Sequence, residues 1–186
     1  MNITPDFVPH KRLEQTATDY MQERGYVVTE QTYHKSLPKN VIEMLTRSHE
    51  ISSLYIRARA DRLAVSDPQR FEFEVKTHSN PRYSDLTLEV LPLMVHMAKI
   101  DFIDCLYVCL VNKCEFGFWV SDLPPVRCIF VPNISKNSFI APLVKTFAQK
   151  LGIGVLNKSS AGSGDPFMII DASIIQSLPN WRDLVP

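Results

Sequence analysis

A chain of 186 residues, 45% hydrophobic and 22% charged, has the material for one sizeable core, and none of its apolar runs approaches membrane-spanning length. Twenty basic and twenty acidic residues cancel, which excludes a global electrostatic footprint for nucleic acid and leaves such binding to local clusters. The opening residues, Met1 to Phe7, lack the basic-then-apolar layout of a secretion signal, so a cytoplasmic protein is expected.

Residues 1 to 9 read as an N-terminal arm. From His10 to Arg24, Leu13, Ala17, Tyr20 and Met21 recur at the i, i+4, i+7, i+8 spacing of an amphipathic helix, and Gly25 stands at the stop position. A strand is expected over Tyr26 to Gln31. Asn40 followed by Glu43 resembles a capping box and predicts a short helix through Leu45 and Thr46.

The next stretch predicts a β-hairpin. Leu54, Ile56, Ala58 and Ala60 alternate with Tyr55, Arg57, Arg59 and Asp61, which places the apolar set on one strand face and Asp61 on the other. Asp67-Pro68-Gln69-Arg70 makes the turn. On the second arm Phe71, Phe73 and Val75 share one face, while Glu72, Glu74 and Lys76 share the other, Glu74 and Lys76 being about 7 Å apart. A turn centred near Pro68 pairs residues whose numbers sum to roughly 136, so Asp61 faces Glu74 and Lys76 directly or diagonally.

Two carboxylates and an amine converging on one face suit phosphodiester chemistry. Mg²⁺ or Mn²⁺ accepts one or two carboxylates plus substrate phosphate oxygens, polarises the phosphate and acidifies a bound water. A lysine on the same face orients that water or stabilises the charge that builds in the transition state. Glu-x-Lys alone carries little information, since alternating charges also pair across ordinary exposed hairpins. The combination of an Asp closing one strand, a short turn and Glu-x-Lys within the next resembles the PD-(D/E)XK nucleases, with Asp61, Glu74 and Lys76 as the matching residues. Ala60 stands where that family has proline.

The resemblance covers residues 10 to 121. It implies a mixed α/β fold, a central β-sheet flanked by helices with a restriction-endonuclease-like core, and an Mg²⁺- or Mn²⁺-dependent endonuclease or exonuclease acting on DNA rather than RNA. Its outline most resembles Holliday-junction resolvases and related repair, restriction or mobile-element enzymes, since the first helix of the resolvases often ends in a Gly-aromatic pair, as Gly25-Tyr26 does here. Relatives often place a further acidic residue on the first helix. Glu14, beside Leu13 near the apolar stripe, is the candidate metal ligand and Glu23 its rival; a solvated helix glutamate is the plain alternative. Arg57, Arg59 and Arg62 beside Asp61, the cluster His10-Lys11-Arg12, and His78 and Arg82 in or near the loop after Lys76 are the candidates for nucleic-acid contact. Glu89 is a more remote candidate.

Leu86 to Val90 alternates as a strand does, and Pro92 suits the first turn of a helix to about Ile100. Cys105 to Val111 is a continuous apolar run typical of a strand covered on both faces, and Asn112-Lys113 turns it into Phe116 to Val120. Cys105, Cys109, Cys114 and Cys128 contain no Cys-x-x-Cys pair and read as reduced core thiols, with no iron–sulfur cluster.

Residues 122 to 186 read as a C-terminal α/β extension: a strand at Arg127 to Val131, a helix from Pro142 to Leu151 closed by Gly152, a loop at Ser159 to Gly164 and a strand at Phe167 to Ile170. Neither Gly152-Ile-Gly154 nor Gly162-Ser-Gly164 completes a phosphate-loop pattern, so no organic cofactor is assigned. Whether this part extends the sheet, reads substrate, or packs against a partner subunit or a second copy in a homodimer is open. Two further functions stand beside the nuclease. One is a nuclease-like domain kept as a nucleic-acid-binding or protein-interaction module, which zero net charge favours. The other is a viral-type RNA endonuclease, in which His34 or His49 joins the metal site.

Overall fold

The structure, a computed structural model, describes residues 7–31, 37–47, 53, 56, 58–78, 84–132, 140–158 and 165–186. Helix α1 (Phe7–Glu23) begins three residues before His10, so the anticipated arm contributes its last residues to the helix. Its stripe of Leu13, Ala17 and Met21 is buried. Gly25 ends it at φ +87°, with Gly25 N–H donating to Gln22 O and Tyr26 N–H to Met21 O, a Schellman closure that a residue with a Cβ would strain. The chain then enters β1 (Val27–Glu30) and continues to helix α2 (Lys39–Arg47), in which Asn40 lies inside the first turn instead of capping it.

β2 (Arg62–Val65) and β3 (Arg70–His78) form the hairpin. Among the described residues the strand expected over Leu54 to Asp61 is not seen: Ser53 and Ile56 are helical, Ala58 lies in a turn, and pairing with β3 starts at Arg62. β1 is four residues long and its ladder ends at the Glu30–Arg62 pair, followed by one further backbone hydrogen bond, from Gln31 N–H to Asp61 O. The alternating small residues still fill the interior, because Ala58 and Ala60 are buried.

β3 is the axis of a five-stranded sheet in the order β1-β2-β3-β5-β6, where β5 is Cys105–Val111 and β6 is Cys114–Trp119. β3 runs antiparallel to β2 and parallel to β5, so the central sheet is mixed. Asn112 and Lys113, both at positive φ, make the two-residue turn into β6. On one face Phe71, Phe73 and Val75 join Leu106 and Val108 beneath α1; on the other Cys105, Tyr107 and Cys109 join a second core. Each large apolar side chain buried in this way contributes about 1.5–3 kcal/mol.

That second core lies against another sheet. β4 (Leu86–Glu89) leads directly into helix α3 (Val90–Met97), and β7 (Cys128–Pro132), helix α4 (Ile140–Leu151), β8 (Gly154–Lys158) and β9 (Phe167–Ile170) complete the layer, in strand order β4-β9-β7-β8. β4 pairs with β9, so the boundary anticipated at residue 121 is spanned by a strand ladder. Two short helices follow, α5 (Ala172–Ile175) and α6 (Trp181–Leu184). Trp181 is fully buried in the α1-side core, edge-on to Tyr20 at 5.1 Å, and Tyr26 Oη donates to Pro186 O. The reading of four core thiols holds for Cys105, Cys109 and Cys128 but not for Cys114, which is exposed at the start of β6. No helix among the described residues is long and apolar enough to cross a membrane.

Candidate active site

Alternation along β3 sends Glu72, Glu74 and Lys76 to the face opposite Phe71, Phe73 and Val75. β3 is flanked on both edges, so these charges are largely enclosed, and Glu74 is 8% exposed beside Tyr107 of β5. The β2–β3 partners sum to 135, one less than the turn geometry suggested, and the position continuing that register opposite Glu74 is Asp61. There side chains take over from the main-chain ladder. Val75 N–H donates to Asp61 Oδ2 at 2.8 Å, and Asp61 N–H donates to Glu74 Oε2 at 3.2 Å.

Lys76 Nζ lies 2.9 Å from Glu74 Oε1 and 3.5 Å from Glu89 Oε2. Burial opposes its charge, but Glu74 and then Glu89 outweigh that and push its pKa up, so it stays an ammonium. Asp61 is driven the other way from a normal carboxylate. Burial first and the Glu74 charge second raise its pKa to about 7, against the lowering effect of the Val75 hydrogen bond and Lys76. Two converging carboxylates, one of them held near neutrality by burial and its neighbour, make an oxygen donor set that a divalent cation would satisfy.

Glu14 approaches from α1 and its charge adds to the rise at Asp61, but its own Oε1 is held by Arg62 Nη2 at 2.7 Å. Its rival Glu23 is exposed nine residues further along the helix. Arg62, expected to point outward towards phosphates, lies instead on the α1 side of the sheet between Glu14 and Glu30, the latter 3.2 Å from its Nη1. The reason is parity: Arg62 shares a face with Ala64, which packs under α1, and not with Asp61. Arg59 is exposed, and His78 is half-buried at the end of β3. Arg57, Arg82, His34 and His49 lie outside the described residues.

His10, expected from sequence only as part of a basic cluster for nucleic acid, is a neighbour of Asp61. His10 Nε2 is 3.0 Å from Val75 O and 4.0 Å from Asp61 Oδ2, one α1 turn before Glu14. The signal was its i, i+4 relation to Glu14, which puts both on the helix face that looks at the hairpin. Glu89, a remote candidate from sequence, reaches the site because β4 ends beside Lys76.

No protein-family model matches the chain, and no curated protein matches it significantly. Among solved structures it is similar to Hjc, a Holliday junction resolvase from the archaeal hyperthermophile Archaeoglobus fulgidus, with a TM-score of 0.47 and 9% identity over 95% of this chain and 94% of that one. At that identity no residue or activity transfers, and the functional reading stands on this chain's own side chains.

Proposed function

We propose that the chain is a metal-dependent nuclease of the PD-(D/E)XK type that hydrolyses phosphodiester bonds in DNA. One observation carries the reading: Asp61 and Glu74 converge across the hairpin with Lys76 on the same strand face as Glu74, and burial and the Glu74 charge raise the Asp61 carboxyl to about 7. Asp61 and Glu74 are the residues that would hold Mg²⁺ or Mn²⁺, and Glu14 joins them only by leaving Arg62. The ion supplies a Lewis acid for the phosphate and an acidified water. Lys76, kept protonated by Glu74 and Glu89, offers a fixed positive charge to the oxygen on which negative charge develops. Asp61 hydrogen-bonds the β3 backbone and so keeps its remaining oxygen in one orientation. DNA is preferred over RNA on the resemblance in outline to resolvases.

The test is a panel of single-stranded, duplex and branched DNA and RNA with Mg²⁺ and with Mn²⁺. Cleavage lost in both Asp61→Asn and Glu74→Gln supports the reading; no cleavage of any substrate by the wild type refutes it. A second reading, a binding module without catalysis, is favoured by how completely the charges pair among themselves: Lys76 with two glutamates, Arg62 with two more. Unaltered nucleic-acid binding without turnover decides for it. A Mn²⁺-dependent RNA endonuclease is favoured by the imidazole beside Asp61, which among the described residues is that of His10.

A further inference from the structure

Two residues before Glu74 on the same face of β3, Glu72 enters a second polar cluster that the nuclease reading does not use. Glu72 is opposite Cys105 in the β3–β5 register, and α3 brings His96 over both. One ligand atom from each of Glu72, His96 and Cys105 lies within 4.8 Å of the other two, and all three residues are buried. His96 is fully enclosed. Its Nδ1 sits 3.1 Å from Tyr107 Oη, while its buried Nε2 has no hydrogen-bond partner within 3.5 Å, the Ala58 backbone being the one main-chain group that acts on the ring. A buried nitrogen left without a partner forfeits its hydration and regains nothing, so a native site that keeps one calls for an explanation such as an ion.

We propose that Glu72, His96 and Cys105 form a cation site of their own, taking zinc or an ion of its class and distinct from the Asp61–Glu74 pair. The donor set chooses the ion. A thiolate and an imidazole with a single carboxylate suit a borderline-soft cation and not Mg²⁺ or Ca²⁺, which take oxygen ligands. Bonds of roughly 2.0–2.3 Å around a tetrahedral ion set ligand atoms about 3.3–3.8 Å apart, so the three donors close by about an ångström. With Nε2 as the ligand, Tyr107 at Nδ1 would orient the ring as outer partners of zinc-bound histidines do.

Lys99 holds the place of the ion when it is absent. Its Nζ is 2.5 Å from Glu72 Oε2, and it follows His96 by three residues, its N–H donating to His96 O in the turn that closes α3, so the end of the helix delivers both the ligand and the competing ammonium. The exchange conserves charge. Without metal the cluster is Glu72⁻, Lys99⁺, neutral His96 and the Cys105 thiol; with it, a 2+ ion meets Glu72⁻ and the Cys105 thiolate, Lys99 swings to solvent and the thiol proton passes to buffer. Lys99 is 24% exposed at its side chain and has a way out. The bound ion ties α3 to β3 and β5 at the base of the strand that carries Glu74 and Lys76.

The test uses the reduced, chelator-stripped full chain carrying Asp61→Asn and Glu74→Gln, which silences the first site and so separates the two readings. Added zinc should remain at about one ion per chain through desalting, and Co²⁺ should give a thiolate-to-metal charge-transfer band. The band should vanish in Cys105→Ser. Lys99→Gln, a change at a partly exposed position, should tighten zinc binding by about tenfold or more, since it removes the competitor. Zinc that is not retained, a band unchanged by Cys105→Ser, or zinc affinity unchanged or weakened in Lys99→Gln each overturns the site, and the lysine variant decides should Cys105→Ser fail to fold.

Discussion

Replacing Asp61 by asparagine should stabilise the metal-free protein while abolishing its metal response. In the folded chain the Asp61 pKa is about 7, against 3.8 for an unperturbed carboxyl. Between those values the folded state holds a proton that the unfolded state has released, so stability falls as pH rises from about 4 to about 7. A rise of roughly three units at 1.4 kcal/mol each makes the ionised Asp61 cost about 4 kcal/mol above neutrality. The asparagine side chain carries no charge and its carbonyl oxygen can still accept the Val75 N–H, so most of that cost should disappear at pH 8. For a domain of this size the gain is about 8–16 °C in melting temperature. The assay is thermal or urea unfolding of both proteins with chelator present at pH 5 and pH 8. His96, whose pKa burial lowers, works in the opposite sense, its contribution present above about 6.5 and lost in acid. Because both proteins contain His96, the difference between them isolates Asp61. Mn²⁺ at a hundredfold excess over its dissociation constant should return about 2.7 kcal/mol to the wild type and nothing to the variant. An Asp61→Asn protein less stable than wild type at pH 8, or with the same pH dependence, would refute the argument that this carboxylate is held against its own electrostatics.

Lys76→Met, which strands buried Glu74 without its nearest cation, should lose about 3–5 kcal/mol in the metal-free protein, yet keep its Mn²⁺-induced melting shift and lose turnover by about two or more orders of magnitude; single-turnover cleavage measures it. Arg62→Ala should cost about 3–5 kcal/mol in urea unfolding, because it strands Glu14 in a buried position without a counter-charge. Arg59→Ala, at an exposed position, should leave stability within about half a kcal/mol and lower the salt slope of DNA binding by about one unit if that arginine follows a phosphate. Gly117→Ala should destabilise by about 1–3 kcal/mol, since the new Cβ would meet Trp181 Cβ at 2.7 Å and neither backbone can retreat; a denaturant melt showing no change would mean that the C-terminal helix docks otherwise.

Local periodicity by itself determined the helix of Leu13, Ala17 and Met21, the Gly25 stop, the buried run of β5 and the shared face of Glu72, Glu74 and Lys76. These follow from geometry that repeats every 3.6 or two residues and needs no distant partner. The turn at Pro68 also brought Asp61 opposite Glu74 to within one residue of the observed register, because hairpin pairing is itself local. Alternation misled before Asp61, where, among the described residues, Ala58 and Ala60 pack inward without a ladder, while Arg62, grouped with Asp61 by nearness in the chain, falls on the opposite side of the sheet, as alternation itself requires. Only the tertiary structure decided which strands share a sheet. β4 left the central sheet to pair with β9 some eighty residues later, carrying Glu89 to Lys76 and α3 to the far face of β3. Likewise Trp181 closed the core under α1, and α1 laid His10 beside Asp61 and Glu14 beside Arg62. Those choices depend on which long-range contacts bury the most surface while pairing every buried charge, and that balance is settled between segments far apart in the chain.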